Sequence, residues 1–107
     1  MILHIVGEKD WENAKKEGIY KNESLAKEGF IHCSLEHQVC KVADKHYAGE
    51  KELLLLYIDE GKVESKVVYE DLYDLNEDYP HIYGPLNTDA VVKTAIFTSD
   101  AEGKFHL

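Results

Sequence analysis

The sequence predicts an α+β domain: a mainly antiparallel, curved sheet with two or three short helices packed on it. Three observations predict it. The run Leu53-Leu54-Leu55-Leu56-Tyr57-Ile58 is apolar at every position, as a central strand buried on both faces requires. Leu35, Val39, Val42, Ala43 and Tyr47 recur at i, i+4, i+7, i+8 and i+12, the stripe of an amphipathic helix. Strand and helix alternate in the first half of the chain, and strand-like segments dominate the second.

Taken in order, residues 2–6 read as a buried strand ended by Gly7. Asp10 is a candidate N-cap for a helix through Trp11, Ala14 and Lys15, stopped by Gly18; Trp11 and Ala14 share its inner face. A short helical turn at residues 24–28 breaks at Gly29, and residues 30–33 form a second strand. Ser34 then caps the amphipathic helix, which ends at Gly49. After the central strand, Gly61 turns the chain into a strand over residues 66–70. Residues 71–79, acidic and tyrosine-rich, read as a surface loop. Pro80 and Pro85 bracket an extended segment that turns at Gly84. A strand over residues 91–98 follows, and residues 104–107 add a terminal one.

At 107 residues the chain has room for a single domain, residues 1–107. A chain of this size buries roughly two-thirds of its unfolded surface, so it needs neither disulfide nor metal to fold. Its formal charge is −9 and it contains no arginine. Such a surface repels phosphate backbones, which excludes general binding to nucleic acid or to an anionic membrane. Any phosphate must be met by lysine, histidine, hydroxyl or backbone N–H groups. The apolar start, residues 1–6, is too short for the core of a signal peptide, and residues 53–58 are too short to span a bilayer. With only Cys33 and Cys40, a disulfide framework is not indicated, and a reducing cytoplasm is the expected compartment.

The candidate working surface lies in two segments, Gly29-Phe30-Ile31-His32-Cys33-Ser34 and Pro80-His81-Ile82-Tyr83-Gly84-Pro85-Leu86. His32 and Ser34, two apart on a strand, share a face about 7 Å apart. An imidazole beside a hydroxyl suits proton transfer or the holding of ligand oxygens. The same pair also reads as a half-buried histidine followed by a helix cap. His81 and Tyr83 repeat the i, i+2 geometry in a proline-stiffened segment, which reads equally as a binding element or as a structural turn. His4 stands alone in an apolar strand and Glu70 ends another; each has a structural reading, and each gains interest only if the sheet gathers them.

His32, Cys33, His37 and Cys40 cluster in sequence, but Cys33 faces away from His32, and no paired C-x-x-C or H-E-x-x-H spacing exists, so no metal site is assigned. Cys33 has no orienting partner on its own face to make it a nucleophile. The glycines are scattered singly, which excludes Rossmann and P-loop phosphate binding.

His4 in Ile2-Leu3-His4-Ile5, Trp11 with Ala14, Tyr20, Ser24-Leu25, residues 28–34, Gln38, residues 55–59, Tyr69-Glu70 and residues 80–86 together resemble the bacterial family called domain of unknown function 952. The resemblance runs nearly the whole chain in order. It implies a fold like that of the ADP-ribosyltransferases, a split sheet cradling NAD in a cleft. By that analogy His4 stands where those enzymes contact a ribose, His32 and Ser34 where they steady the nicotinamide ribose, and Tyr83 where an aromatic stacks. Glu70 or His81 stands where a side chain supports transfer, and Gly84 belongs to the same ligand-binding segment. The serine-threonine-serine strand pattern of those enzymes is absent here. The resemblance thus implies NAD, or a nucleotide-like phosphorylated molecule, as substrate rather than as a resident cofactor. Two other functions stay open: a non-catalytic module binding a nucleotide or sugar phosphate, and an acidic protein-interaction domain using residues 70–79, with no protein partner specified.

Overall fold

The computed structural model describes residues 1–50 and 52–107. Among the described residues the chain runs β1 (Ile2–Val6), α1 (Glu8–Glu17), β2 (Ile19–Tyr20), α2 (Glu23–Glu28), β3 (Ile31–His32), α3 (Glu36–His46), β4 (Glu52–Ile58), β5 (Lys66–Glu70), β6 (Tyr79–Tyr83), β7 (Leu86–Asn87) and β8 (Val91–Thr98). The protein is α+β, with three helices on sheets whose pairings are antiparallel. No helix among the described residues is long and apolar enough to cross a membrane.

The sheet is split. One half has the order β1-β4-β8 and the other β3-β6-β5, with β2 and β7 forming a small separate ribbon. Among the described residues the halves meet through one bridge, where Leu3 and Ser34 exchange N–H···O bonds of 2.8 Å in both directions. The strand containing β3 therefore serves both halves: Ser34 pairs with β1, while the Cys33 N–H donates to the Pro80 carbonyl at 3.0 Å.

As its sequence predicts, β4 is central, and its two faces feed two cores. Leu56 and Ile58 join Ile2, Val6, Trp11, Ala14, Ile31 and Ile82, whereas Leu53 and Leu55 join Leu3, Ile5, Val39, Ala43, Phe97 and Phe105. A one-residue slip of β4 would exchange the two sets between the cores.

Four local expectations are revised. Helix α1 starts at Glu8 behind Gly7, two residues before Asp10, while Gly18 ends it as expected in the left-handed conformation, φ 79°. Ser34 does not cap α3, because its backbone N–H and carbonyl are spent on Leu3 and the chain is still extended there. The helix begins two residues later, and the Leu35 N–H is met by Gln38 Oε1 at 2.9 Å. The helix ends at His46, before Gly49. Residues 104–107 form no strand, only the bridge from Phe105 to Ser99, while the Phe105 ring is buried against Phe97.

Candidate functional site

Strand alternation sorts the candidate residues by face. Leu3 pairs with Ser34, and His32 pairs with His81, so His32, Ser34 and His81 lie on one face, together with Leu3. Val68 pairs with His81, so Glu70, two residues further along β5, shares this face, as does Tyr83 on β6. Phe30, two residues before His32, lies among them, its ring centroid 4.8 Å from His32, 4.5 Å from His81 and 5.2 Å from Tyr83. His4 alternates to the opposite face.

Two similar constellations result. In the first, Glu70 Oε2 accepts from His81 Nδ1–H at 2.8 Å and from the Tyr83 hydroxyl. In the second, Glu28 Oε1 accepts from His32 Nε2–H at 3.0 Å, and its Oε2 accepts from the Tyr73 hydroxyl at 2.9 Å. Donors on both sides hold each carboxyl below its ordinary range: for Glu70 chiefly the Tyr83 hydroxyl, then His81; for Glu28 chiefly His32, then Tyr73.

Local sequence explains the positions. Asn22 caps α2 by accepting the Leu25 N–H at 3.1 Å, and Gly29 ends the helix at φ 89°, a conformation that costs glycine little. That reversal carries the chain directly into β3, so Glu28 and His32 meet across four residues. Ser24 Oγ donates to the Phe30 carbonyl at 2.8 Å and fixes the entry of the strand.

A cleft of about 1090 Å³ opens at the split, lined in part by His4, Tyr20, His32, Ser34, Glu70 and His81. His81 is 2% exposed and Ser34 4%. Among the described residues, neither His81 Nε2 nor the Ser34 hydroxyl has a protein hydrogen-bond partner, and no sealed side-chain nitrogen or oxygen lacks one. Both atoms therefore keep access to the cleft. With Nδ1–H committed to Glu70, the neutral His81 ring presents the lone pair of Nε2 to that space.

His4 is arranged differently. Its Nδ1–H donates to the His32 carbonyl at 2.6 Å, and its Nε2 accepts from the Tyr20 hydroxyl at 2.9 Å. Burial lowers its pKa to about 4, against the opposing pull of the His32 carbonyl. Both nitrogens are occupied by the protein, so His4 ties β1 to the strand containing β3 from the far face and leaves no ring nitrogen for a ligand.

Tyr83 and Gly84 do not line the cleft. The Tyr83 ring lies on Phe30 and its hydroxyl reaches Glu70. Gly84 has φ 151°, and a Cβ there would lie 2.5 Å from Ser65 Oγ, so this position admits the chain past the Ser65 side chain. Glu28 and Tyr73 were not singled out by sequence reasoning. Glu28 carried a signal, since Glu28-Gly29-x-x-His32 places a carboxylate and an imidazole within reach across a helix end. Tyr73 carried none, because its position depends on how residues 71–78 fold.

That segment closes on its own aspartate: Asp71 accepts the Leu75 N–H at 2.9 Å and the Asn76 N–H at 2.8 Å. The buried Gln38 pins its far end, donating to Glu77 Oε1 at 3.0 Å and to the Asp78 carbonyl at 2.9 Å. Glu77 also takes Lys41 as an ion-pair partner. No group of three or more histidine, cysteine or acidic residues in metal-holding arrangement occurs among the described residues.

These features define a class: a small α+β domain whose split sheet holds a cleft furnished with glutamate-bound histidines. The chain belongs to the family described as "Protein of unknown function (DUF952)", whose model matches residues 5–94, a span that includes both histidine-bearing segments. It is similar to protein CC0527 from Caulobacter crescentus. The crystal structure of that protein has a TM-score of 0.88 at 28% identity, covering 99% of this chain and 93% of that one. A double mutant of CC0527 gives the same values. Its solution structure has a TM-score of 0.75 at 26% identity, covering 96% of this chain and 89% of that one. No curated protein matches the chain.

Proposed function

We propose that the cleft at the split is the active site of an enzyme acting on a small molecule, with His81 as general base and Glu70 as the group that holds it. One observation carries this reading: a nearly buried imidazole has one nitrogen fixed on a carboxylate and the other directed to a cavity without a protein partner. A carboxylate in this position selects the tautomer and stabilises the imidazolium once the proton is taken. Ser34, on the same face, offers a hydroxyl to a ligand oxygen. The cleft volume of about 1090 Å³ lies just above the usual range for small-molecule sites.

The substrate that fits the family resemblance is NAD or a nucleotide-like phosphorylated molecule, seated in the split as in an ADP-ribosyltransferase. In that pose Glu70 supports the charge that develops at the anomeric carbon as nicotinamide leaves, and His81 takes the proton of the water that replaces it. The test is nicotinamide release from millimolar NAD. Release that is lost in His81→Gln supports the reading, and absence of both binding and release rejects this substrate.

The charge of the lining disfavours a diphosphate such as NAD and leaves a second reading, a non-catalytic module whose same cleft takes a ligand of lower charge. Asp10, Glu23, Glu28, Glu70 and Glu77 face it, against Lys41 and Lys45, and Lys41 is already paired with Glu77. Such a lining attracts a diphosphate weakly. This reading expects a thermal shift with a nucleotide or sugar phosphate and no turnover.

A further inference from the structure

We propose that Tyr73 occupies the seat of a ligand ring, and that this seat takes a planar aromatic group carrying one N–H or O–H donor. The inference rests on the reading of the cleft as a ligand site, but not on any turnover there. The Tyr73 ring lies nearly parallel to the His32 imidazole, 24° between planes and 6.1 Å between centroids, and its hydroxyl donates to Glu28 Oε2 at 2.9 Å. Yet Tyr73 is 53% exposed and belongs to neither core. Burial of apolar surface does not account for its position; stacking and one hydrogen bond do.

The seat exists without its occupant. His32 is fixed by pairing with His81 and by the edge of Phe30, and Glu28 by the end of α2 and by His32 itself. The occupant, in contrast, is loosely tethered. Residues 71–78 are folded on Asp71 and pinned to α3 only at Glu77 and Asp78. Among the described residues, residues 72–75 make no backbone hydrogen bond to the rest of the protein. Tyr73 can therefore lift away while the anchor holds. The chemistry of the ligand follows from what Tyr73 supplies: a flat π face for His32 and one donor for the Glu28 carboxylate. A phenol satisfies this requirement, and so does a nucleobase through an exocyclic amine.

The experiment compares the full-length wild-type protein with Tyr73→Ala, following the His32 ring signals by NMR. Two ligand pairs are titrated: p-cresol against 4-methylanisole, and adenosine against purine riboside, which lacks the exocyclic amine. Removing the internal competitor should strengthen binding of the fitting ligand by about tenfold. The donor-bearing member should bind about fivefold or more tighter than its partner. Whichever pair shows that preference names the source of the ring, and Glu28→Ala in the same background should abolish it. Tyr73→Phe keeps the stacking ring but loses the donor to Glu28, so it should bind p-cresol more tightly than wild type and less tightly than Tyr73→Ala. Equal binding within both pairs, or no binding to a Tyr73→Ala protein that gives a native spectrum, overturns the proposal. If this test succeeds while NAD is neither bound nor cleaved, the seat stands and only the NAD reading falls.

Discussion

His32 and His81 face each other across β3 and β6 as register partners, with their rings edge to face at 5.4 Å, and each is bound to its own glutamate. The two rings engage opposite atoms: His81 gives Nδ1–H to Glu70, and His32 gives Nε2–H to Glu28. They are therefore not interchangeable. One leaves Nε2 for the cleft and the other leaves Nδ1.

Glu70→Gln tests this division. The amide replaces a charge that stabilises the imidazolium and can present a donor to Nδ1, which selects the wrong tautomer. Turnover on the true substrate should fall by about 10²–10⁴-fold with little change in ligand affinity. Steady-state kinetics on both proteins would show it.

The pH dependence of stability follows from His4. Its pKa is about 4 in the folded protein, against an ordinary value of 6.5. Between these values the unfolded chain holds a proton that the folded chain does not. Stability therefore falls as pH drops through this window and is fully regained above 6.5. The full effect is about 3 kcal/mol. Denaturant titrations between pH 4 and 7 should show the slope, and His4→Gln should remove most of it. A slope that is unchanged in His4→Gln would reassign the effect to other groups.

Gly84→Ala should destabilise the fold by about 2 kcal/mol or more, since it combines an unfavourable φ with a clash. The methyl would lie 2.5 Å from Ser65 Oγ and 3.0 Å from Ser65 Cβ. Ser65→Gly in the same chain should recover part of the loss, namely the steric part, as thermal unfolding of the double variant would reveal.

Gln38→Leu removes three hydrogen bonds from a buried position and leaves the Leu35 N–H and the Asp78 carbonyl without that partner. The expected cost is about 1–3 kcal/mol. Amide exchange should rise in residues 71–78 more than in β6, because the anchor of the segment is lost while the strand pairing of β6 remains.

Legibility in the sequence followed the range of the forces involved. The centrality of β4 and the inner faces of α1 and α3 could be read because burial imposes periodicity directly on residues such as Leu55, Val39 and Trp11. The pairing of His32 with His81 on one face was half legible: alternation placed each side chain, but register across 49 residues of sequence is a tertiary fact. His4 shows the limit. The sequence left open whether the sheet would gather it with the other candidates, and alternation across the Leu3–Ser34 bridge puts it on the face opposite His32, where it meets the backbone carbonyl of that residue. Ser34 looked like a helix cap because its residue type favours caps, and the bridge to Leu3 overrode that preference. Tyr73 was not legible at all, since its place depends on the turn that Asp71 organises.

The most direct test of the central claim requires no substrate. Side-chain ¹⁵N NMR of His81, recorded at a pH where the ring is neutral, reports which nitrogen carries the proton. The Glu70-bound arrangement predicts protonated Nδ1 and bare Nε2, with the pattern disturbed in Glu70→Gln. A ring protonated at Nε2 would contradict the assignment of His81 as the proton acceptor of the cleft, and a wild-type pattern that survives Glu70→Gln would contradict the role given to Glu70 in holding it.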